Sequence, residues 1–175
     1  SAKFDFYANG ITDPENMYLF VDLKQSQTSF QDLNRIKLPQ KWGTGYLTFS
    51  ESLQDAGIFS YQGNFTGFLT DFVAFGTLTS EMGILTTDLS VRPEQARQVN
   101  FRGEVATENF KLGNLFNIKN VNEITFDGSV DGYYNRDDQS AAAAFDGEIA
   151  EMDFNQYNYR NIEIDGILNN RMFDG

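Results

Sequence analysis

The feature that most constrains this chain is an alternation of apolar and polar residues along nearly its whole length. A period of two residues is typical of a β-strand that buries one face. Glycine interrupts the apolar series in the repeated pattern apolar-x-Gly-x-apolar. The pattern occurs as YQGNF (Tyr61–Phe65), FRGEV (Phe101–Val105), FDGSV (Phe126–Val130), FDGEI (Phe145–Ile149) and IDGIL (Ile164–Leu168). The sequence therefore predicts an all-β fold, arranged as an antiparallel meander.

Other segments complete this meander and add short helical turns. Further strands are predicted at Met17–Leu23, Gly45–Ser50, Phe72–Thr79, Ile84–Val91, Met152–Phe154 and Gln156–Tyr159. Ser29 is a candidate N-cap for a short helix that ends before Pro39. Glu108 to Asn117 is a second candidate for a helical turn. No linker divides the chain, so residues 1–175 are predicted to form a single unit.

The repeated glycines lie on the apolar face, where a side chain is expected. A missing side chain there permits a sharp bend or a close approach of two backbones. The five glycines are Gly63, Gly103, Gly128, Gly147 and Gly166, separated by 40, 25, 19 and 19 residues. The last two intervals predict hairpins of about nine residues per strand. A bend in successive strands would curl the sheet into a U-shaped trough, although the same pattern is also compatible with ordinary strands of an all-β protein.

The composition excludes several functional classes. A formal net charge of −12 with scattered basic residues argues against nucleic-acid binding and against a surface that grips anionic lipid headgroups. Histidine is absent, which removes the commonest general base and metal ligand. The absence of cysteine discriminates little. No apolar run approaches the roughly 20 residues that a membrane-spanning helix needs.

Acidic residues offer the only candidates for a metal site or for catalysis. Asp131 with Asp137 and Asp138, and Asp13 with Glu15, could supply oxygen ligands to calcium, but EF-hand spacing is missing and solvated loops are favoured. Glu148 and Glu151 could form a glycosidase pair. Their alternation with Ile149 instead favours a polar strand face. We therefore predict no enzyme activity and no cofactor.

Both ends of the sequence suggest a piece of a longer chain. It begins Ser-Ala-Lys without methionine, so Ser1 and Ala2 are interpreted as a cloning remnant. It ends with Phe173-Asp174-Gly175, an interrupted sixth copy of the repeated pattern.

Several segments resemble the TamB family of envelope proteins, part of the AsmA superfamily, and in particular its Bacteroidetes members. They are NQYNYRNIEIDGILNNRMFDG (Asn155–Gly175), ATENFKLGNLFN (Ala106–Asn117) and YQGNFTGFLTDFVAFGTLTSEMGILTTDL (Tyr61–Leu89). VDLKQSQTSFQDLNRIKLPQKW (Val21–Trp42) also resembles the family's strand followed by a short Ser-x-x-Asp-Leu turn.

The resemblance implies a periplasmic segment of a protein anchored in the inner membrane outside this sequence. The family's long β region is a sheet folded into a U, the "β-taco", with an apolar interior. It is implicated in phospholipid transport between the inner and outer membranes and in outer-membrane assembly beside an Omp85-type barrel. The implied partners are therefore phospholipid acyl chains and, through parts outside this chain, such a barrel.

A lipid conduit needs a continuous apolar face, and the alternation supplies one. The predicted lining is Phe59, Tyr61, Phe65, Phe101, Val105, Ile124, Phe126, Val130, Phe145, Ile149, Ile162, Ile164 and Leu168. The glycines on this face are expected to leave width for acyl chains. The alternative is a binding or adhesion module, a β-sandwich or barrel with a filled core. A trough should leave a groove open at both ends and unpaired edge strands that favour dimerisation.

Overall fold

The computed structural model describes residues 2–10, 17–35, 57–68, 70–94, 98–113, 120–135, 138, 140–169 and 172–174. Its strands are β1 (Ala2–Asn9), β2 (Tyr18–Ser29), β3 (Ile58–Phe68), β4 (Asp71–Ser80), β5 (Gly83–Glu94), β6 (Gln98–Phe110), β7 (Val121–Asn135), β8 (Ala141–Phe154), β9 (Tyr157–Asn169) and β10 (Met172–Asp174). One short helix, α1 (Phe30–Leu33), lies within these ranges, and residues 112 and 113 are also helical. None of the described helical residues forms a helix long and apolar enough to cross a membrane.

The strands form one antiparallel sheet in chain order, so the predicted all-β meander is confirmed. The sheet does not close into a barrel, because β1 and β10 lie at opposite ends of the order. β10 pairs only with Ile167, Leu168 and Asn169 of β9. The rest of β9, from Tyr157 to Gly166, is therefore an open edge among the described residues. The described part of the chain contains no second sheet facing the first, as a β-sandwich would require.

The register separates two faces. We call the face that carries the repeated glycines the inner face and the opposite one the outer face. Gly63 lies opposite Gly76 of β4, and Gly128 lies opposite Gly147. Directly opposed residues of antiparallel strands point to the same side of the sheet, so apolar residues at alternate positions accumulate on the inner face.

The two opposed glycine pairs mark places where neighbouring strands approach too closely for a side chain. A Cβ atom added to Gly63 would lie 2.2 Å from the carbonyl oxygen of Phe75. One added to Gly147 would lie 2.4 Å from the carbonyl oxygen of Asp127. Side chains converge on the concave side of a curved sheet, and glycine removes the obstruction. These contacts agree with a sheet that curls toward its inner face.

One end of the trough is packed. The buried residues Met82, Phe110, Ile124, Phe126 and Ile149 form a cluster there, and α1 contributes Phe30, whose ring lies 4.6 Å from that of Phe59. The segment after β6 folds over the β4–β5 turn, where the Lys111 N–H donates to the Met82 carbonyl at 2.8 Å. Met82 in this turn and Phe110 at the end of β6 thus belong to the same buried cluster, and the groove open at both ends stays a prediction.

The strand pairing is irregular near the packed end. The β6–β7 register shifts between Thr107 and Phe110, and the β7–β8 register shifts on either side of Ile124–Thr125. Asn109 in β6 and Asn161 in β9 have positive φ angles of 47° and 53°. Bulges of this kind bend a strand and increase its local twist.

Most predicted elements are present, with specific corrections. Ser29 caps α1 as predicted, since its Oγ accepts a hydrogen bond from the Asp32 N–H at 3.1 Å. The predicted second helical turn is present at residues 112 and 113 but wrong at Glu108–Phe110, which end β6 because they pair with β5 and β7. The strands that carry the repeated pattern span 11 to 15 residues, longer than the expected nine, since they extend beyond the pattern. The predicted strand Gly45–Ser50 and Pro39 lie outside the described residues.

Candidate functional site

The inner face brings together all thirteen residues predicted to line a groove. Phe59, Ile124, Phe126, Val130 and Ile149 are buried. The other predicted residues are partly buried: Tyr61, Phe65, Phe101, Val105, Phe145, Ile162, Ile164 and Leu168. No large side chain among the described residues is fully buried, as the core of a two-layer protein would be.

Four cross-strand rows of the inner face run from β2 to β9 without a charged residue. They pass through Phe126, Gly128, Val130 and Gly132 of β7. Their polar members are Ser26, Tyr61, Thr87 and Thr107. A face of this extent without charge is suited to contact hydrocarbon rather than water.

Three of the four polar side chains in these rows, Ser26, Tyr61 and Thr107, form hydrogen bonds with the backbone. The Thr107 hydroxyl donates to the Ile124 carbonyl at 3.2 Å and accepts from the Phe126 N–H at 3.0 Å, which satisfies backbone groups at the β6–β7 bulge. The Tyr61 hydroxyl donates to the Phe75 carbonyl at 3.2 Å. Burial raises the pKa of Tyr61 above its ordinary value, because the phenolate would lose hydration. The surface therefore offers few free polar groups to a ligand.

Aromatic rings occupy much of this face. Phe126 and Phe145 meet edge to face with ring centroids 6.2 Å apart, and the Phe65 ring lies 5.7 Å from that of Phe72. The Phe126 ring also lies over the central glycine pair, where a Cβ at Gly128 would meet its Cζ at 2.8 Å. The expectation that glycine leaves free width is therefore wrong at this pair, because the ring occupies the space.

The predicted glycines follow the same face. Gly63, Gly128 and Gly147 share one cross-strand row, whereas Gly103 and Gly166 belong to the next row, through Val130. The glycines fall in two rows because the connections between the strands differ in length. All five lie on the inner face, and their predicted role in bending the sheet stays a prediction.

Sequence reasoning missed the part of the inner face contributed by strands without the repeated pattern. Leu78, Leu85 and Leu89 continue the apolar rows through β4 and β5. Phe4 and Phe6 extend the face to the edge strand β1. The signal was present, since Phe4 and Phe6 alternate with Asp5 and Tyr7.

The outer face of β7–β9 is acidic. Asp127, Glu148 and Glu163 lie directly opposite one another, and Asp146 lies opposite Asp165. No group of three or more carboxylates in the described ranges is placed to hold a metal ion. Like charges in opposed positions destabilise a sheet, so this surface is suited to solvent.

The other acidic candidates are separated or bonded elsewhere. Glu151 accepts from Asn158 at 2.7 Å and pairs with Arg160 at 3.2 Å. Asp131 pairs with Arg102 at 3.6 Å. Asp137, Asp13 and Glu15 lie outside the described residues.

Comparisons with protein-family models, with curated proteins and with solved structures find no match to this chain.

Proposed function

We propose that the inner face shelters phospholipid acyl chains, and that the chain is a periplasmic segment of an AsmA/TamB-like protein. The observation that best supports this proposal is that four cross-strand rows on one face of the sheet contain no charged residue. An apolar face of this extent is expected to have a partner, and no second sheet of the described residues covers it. The sequence resemblance supplies the family and the cellular location.

Energetics favour an acyl chain as the occupant. Each methylene group transferred from water to an apolar surface contributes about 0.8 kcal/mol. Phe126 lies at the packed end of β7, and Tyr134, eight positions further along the strand, lies near its other end. At roughly 3.3 Å per residue this stretch is about 26 Å long. One leaflet of a bilayer core is roughly 15 Å thick, so an acyl chain fits between the two ends.

In this proposal the lipid headgroup stays outside the groove. No lysine or arginine occurs in the four charge-free rows, so no inner-face cation is available to select a phosphate. The acyl chains would enter through the unpacked end or the open side, while the headgroup stays in water. Discrimination between lipids would then depend on chain length more than on headgroup charge. A role in outer-membrane assembly beside an Omp85-type barrel is proposed from the sequence resemblance alone.

The test compares two neighbouring residues of β9 that point to opposite faces. Leu168 lies on the inner face near the unpacked end, and Ile167 lies on the outer face with 52% of its surface exposed. The protein is purified from bacteria and analysed by native mass spectrometry and by organic extraction of bound lipid. Wild type and Ile167→Asp are expected to retain phospholipid, and Leu168→Asp is expected to lose most of it while remaining folded by circular dichroism.

Two results would contradict the proposal. One is wild-type protein that carries no lipid and takes up none from phosphatidylethanolamine vesicles. The other is equal lipid retention by the two aspartate variants, which would place any bound lipid away from the inner face.

A further inference from the structure

Strand β9 has backbone hydrogen-bonding groups that the described sheet does not use. β9 pairs with β8 from Tyr157 to Asn169, whereas β10 covers only its last three residues. Along residues 157–166, one side of β9 therefore has no backbone partner in the described part of the chain. An exposed strand edge of this kind is a template on which another strand can add.

This edge has few of the features that normally prevent strand addition. Natural proteins protect their edge strands with lysine, proline, bulges or short length. Residues 157–166 contain neither proline nor lysine, and β9 is 13 residues long. The positive φ angle of Asn161, 53°, makes the strand irregular at that point, but residues 162–166 pair with β8 in one continuous register. We call residues 162–166 the edge segment.

The outer side of the edge segment is acidic and has no compensating cation. Glu163 lies opposite Glu148, and Asp165 lies opposite Asp146. No described residue forms an ion pair with Glu163 or Asp165, and the one basic residue of β9, Arg160, is already paired with a carboxylate of β8. Like charges in opposed positions destabilise a sheet, and opposite charges stabilise it. A further strand would therefore be favoured if it placed lysine or arginine beside these two carboxylates.

The inner side of the edge segment is apolar. Ile162 and Ile164 are partly buried and pack against the buried cluster of the inner face. Residues directly opposite them on an added strand would point to the same side of the sheet and extend this apolar face. The two sides together define the sequence pattern of the partner strand, in which apolar residues alternate with basic ones.

A second copy of this chain matches the edge segment poorly. Two-fold antiparallel pairing of the segment with itself would place Glu163 opposite Asp165 of the second copy, where the two charges repel. β1, at the other end of the sheet, alternates Lys3 with Asp5 on its outer side. It offers one cation together with a further carboxylate, so it does not supply the required pattern.

We propose that the edge segment binds a strand of a cationic partner protein, in which apolar residues alternate with lysine or arginine. The strand pairs its backbone with β9, places its apolar side chains on the inner face and its cations beside Glu163 and Asp165. Main-chain hydrogen bonds supply the affinity in such a complex, and the alternate side chains supply the specificity. The formal charge of −12 also attracts a cationic partner from a distance. The pairing does not depend on lipid in the groove.

Synthetic peptides of about ten residues, the length of an ordinary strand, serve as probes for the whole chain. Binding is measured by fluorescence anisotropy at about 0.15 M salt, where long-range attraction is screened. A peptide of alternating valine and lysine is expected to bind, and one of alternating valine and glutamate is not. A valine–lysine peptide that is N-methylated at every residue keeps its charge but has no backbone donors. It is expected to bind at least about 10-fold more weakly.

Two double charge reversals locate the binding site. Glu163→Lys/Asp165→Lys is expected to weaken binding of the valine–lysine peptide at least about 10-fold, because two attractive cross-strand pairs become repulsive. Asp88→Lys/Glu104→Lys is the matched control, since these opposed carboxylates lie on the outer face of β5 and β6 and their replacement changes the net charge equally. Its affinity is expected to stay within about threefold of wild type.

Four results would overturn the proposal. The first is the absence of binding at about 1 mM valine–lysine peptide. The second is equal weakening by the two double variants, which would indicate attraction to the net charge alone. The third is equal affinity of the N-methylated peptide, which would exclude backbone pairing. The fourth is a wild-type dimer that blocks the peptide, which would assign the edge to a second copy of the chain.

Discussion

Strands β1–β4 and strands β7–β9 share one inner face, but their outer faces differ in chemical character. On β1–β4 the outer face is aromatic, with Phe20, Val73 and Phe75 exposed. On β7–β9 it is acidic, with Asp127, Glu148 and Glu163 opposed. The inner face is apolar throughout the sheet, whereas the outer face changes from an aromatic surface on β1–β4 into an acidic one on β7–β9.

The two regions also differ in how well the inner face is packed. β7 and β8 contribute Ile124, Phe126, Val130 and Ile149 to the buried residues. β1 leaves Phe4 and Phe6 more than half exposed. The C-terminal strands therefore hold most of the stability, and the N-terminal strands hold most of the apolar surface still available to partners.

The largest expected effect comes from truncating the packed core. Phe126→Ala is expected to lower the free energy of unfolding by about 3 to 5 kcal/mol, because it removes buried area and leaves a cavity beside Ile149. Phe6→Ala removes the same ring from an exposed position of β1, and a loss below about 1 kcal/mol is expected. Urea titration followed by circular dichroism measures both. Equal losses would show that packing is uniform across the sheet.

A second test concerns a feature that the two regions share. Gly76 in the N-terminal region and Gly147 in the C-terminal region both face a glycine across the strand pair. An added methyl group would approach the Gln62 carbonyl at 2.7 Å or the Asp127 carbonyl at 2.4 Å. Gly76→Ala and Gly147→Ala are each expected to cost about 1 to 3 kcal/mol in urea unfolding.

Ala144→Ser on the outer face of β8 is the matched control, since Ala144 is exposed. Its stability should stay within about 0.5 kcal/mol of wild type. Glycine variants as stable as this control would mean that close strand approach is not what holds the curl.

The repeated pattern was sufficient to predict the all-β meander and the membership of the inner face. Alternation fixes which residues share a side once strands pair in order, so Phe101 and Leu168 could be placed together from sequence. The packed end could not be predicted in this way. It depends on Met82 in a turn and on the bulge between Thr107 and Phe110, and neither interrupts the alternation in a recognisable way.

The exposed apolar residues on the outer face of β1–β4 were not predicted, because most strands with the repeated glycine have polar outer faces. The run Tyr18-Leu19-Phe20-Val21 is continuously apolar, a pattern typical of strands covered on both sides. That run is the sequence signal for an apolar outer face on β2.

The smallest expected effect concerns charge. Glu148 lies between Asp127 and Glu163, so Glu148→Lys replaces two repulsive cross-strand pairs with two attractive ones. A gain of about 0.5 to 1 kcal/mol is expected at low ionic strength. It should shrink in about 0.5 M salt, where screening acts within a few ångströms. In β1, Asp5→Asn should give no net gain, because relief of the repulsion with Asp22 opposite it is offset by loss of the ion pair with Lys24. A gain from Asp5→Asn equal to that from Glu148→Lys would show that net charge, rather than the opposed carboxylates of β7–β9, limits stability.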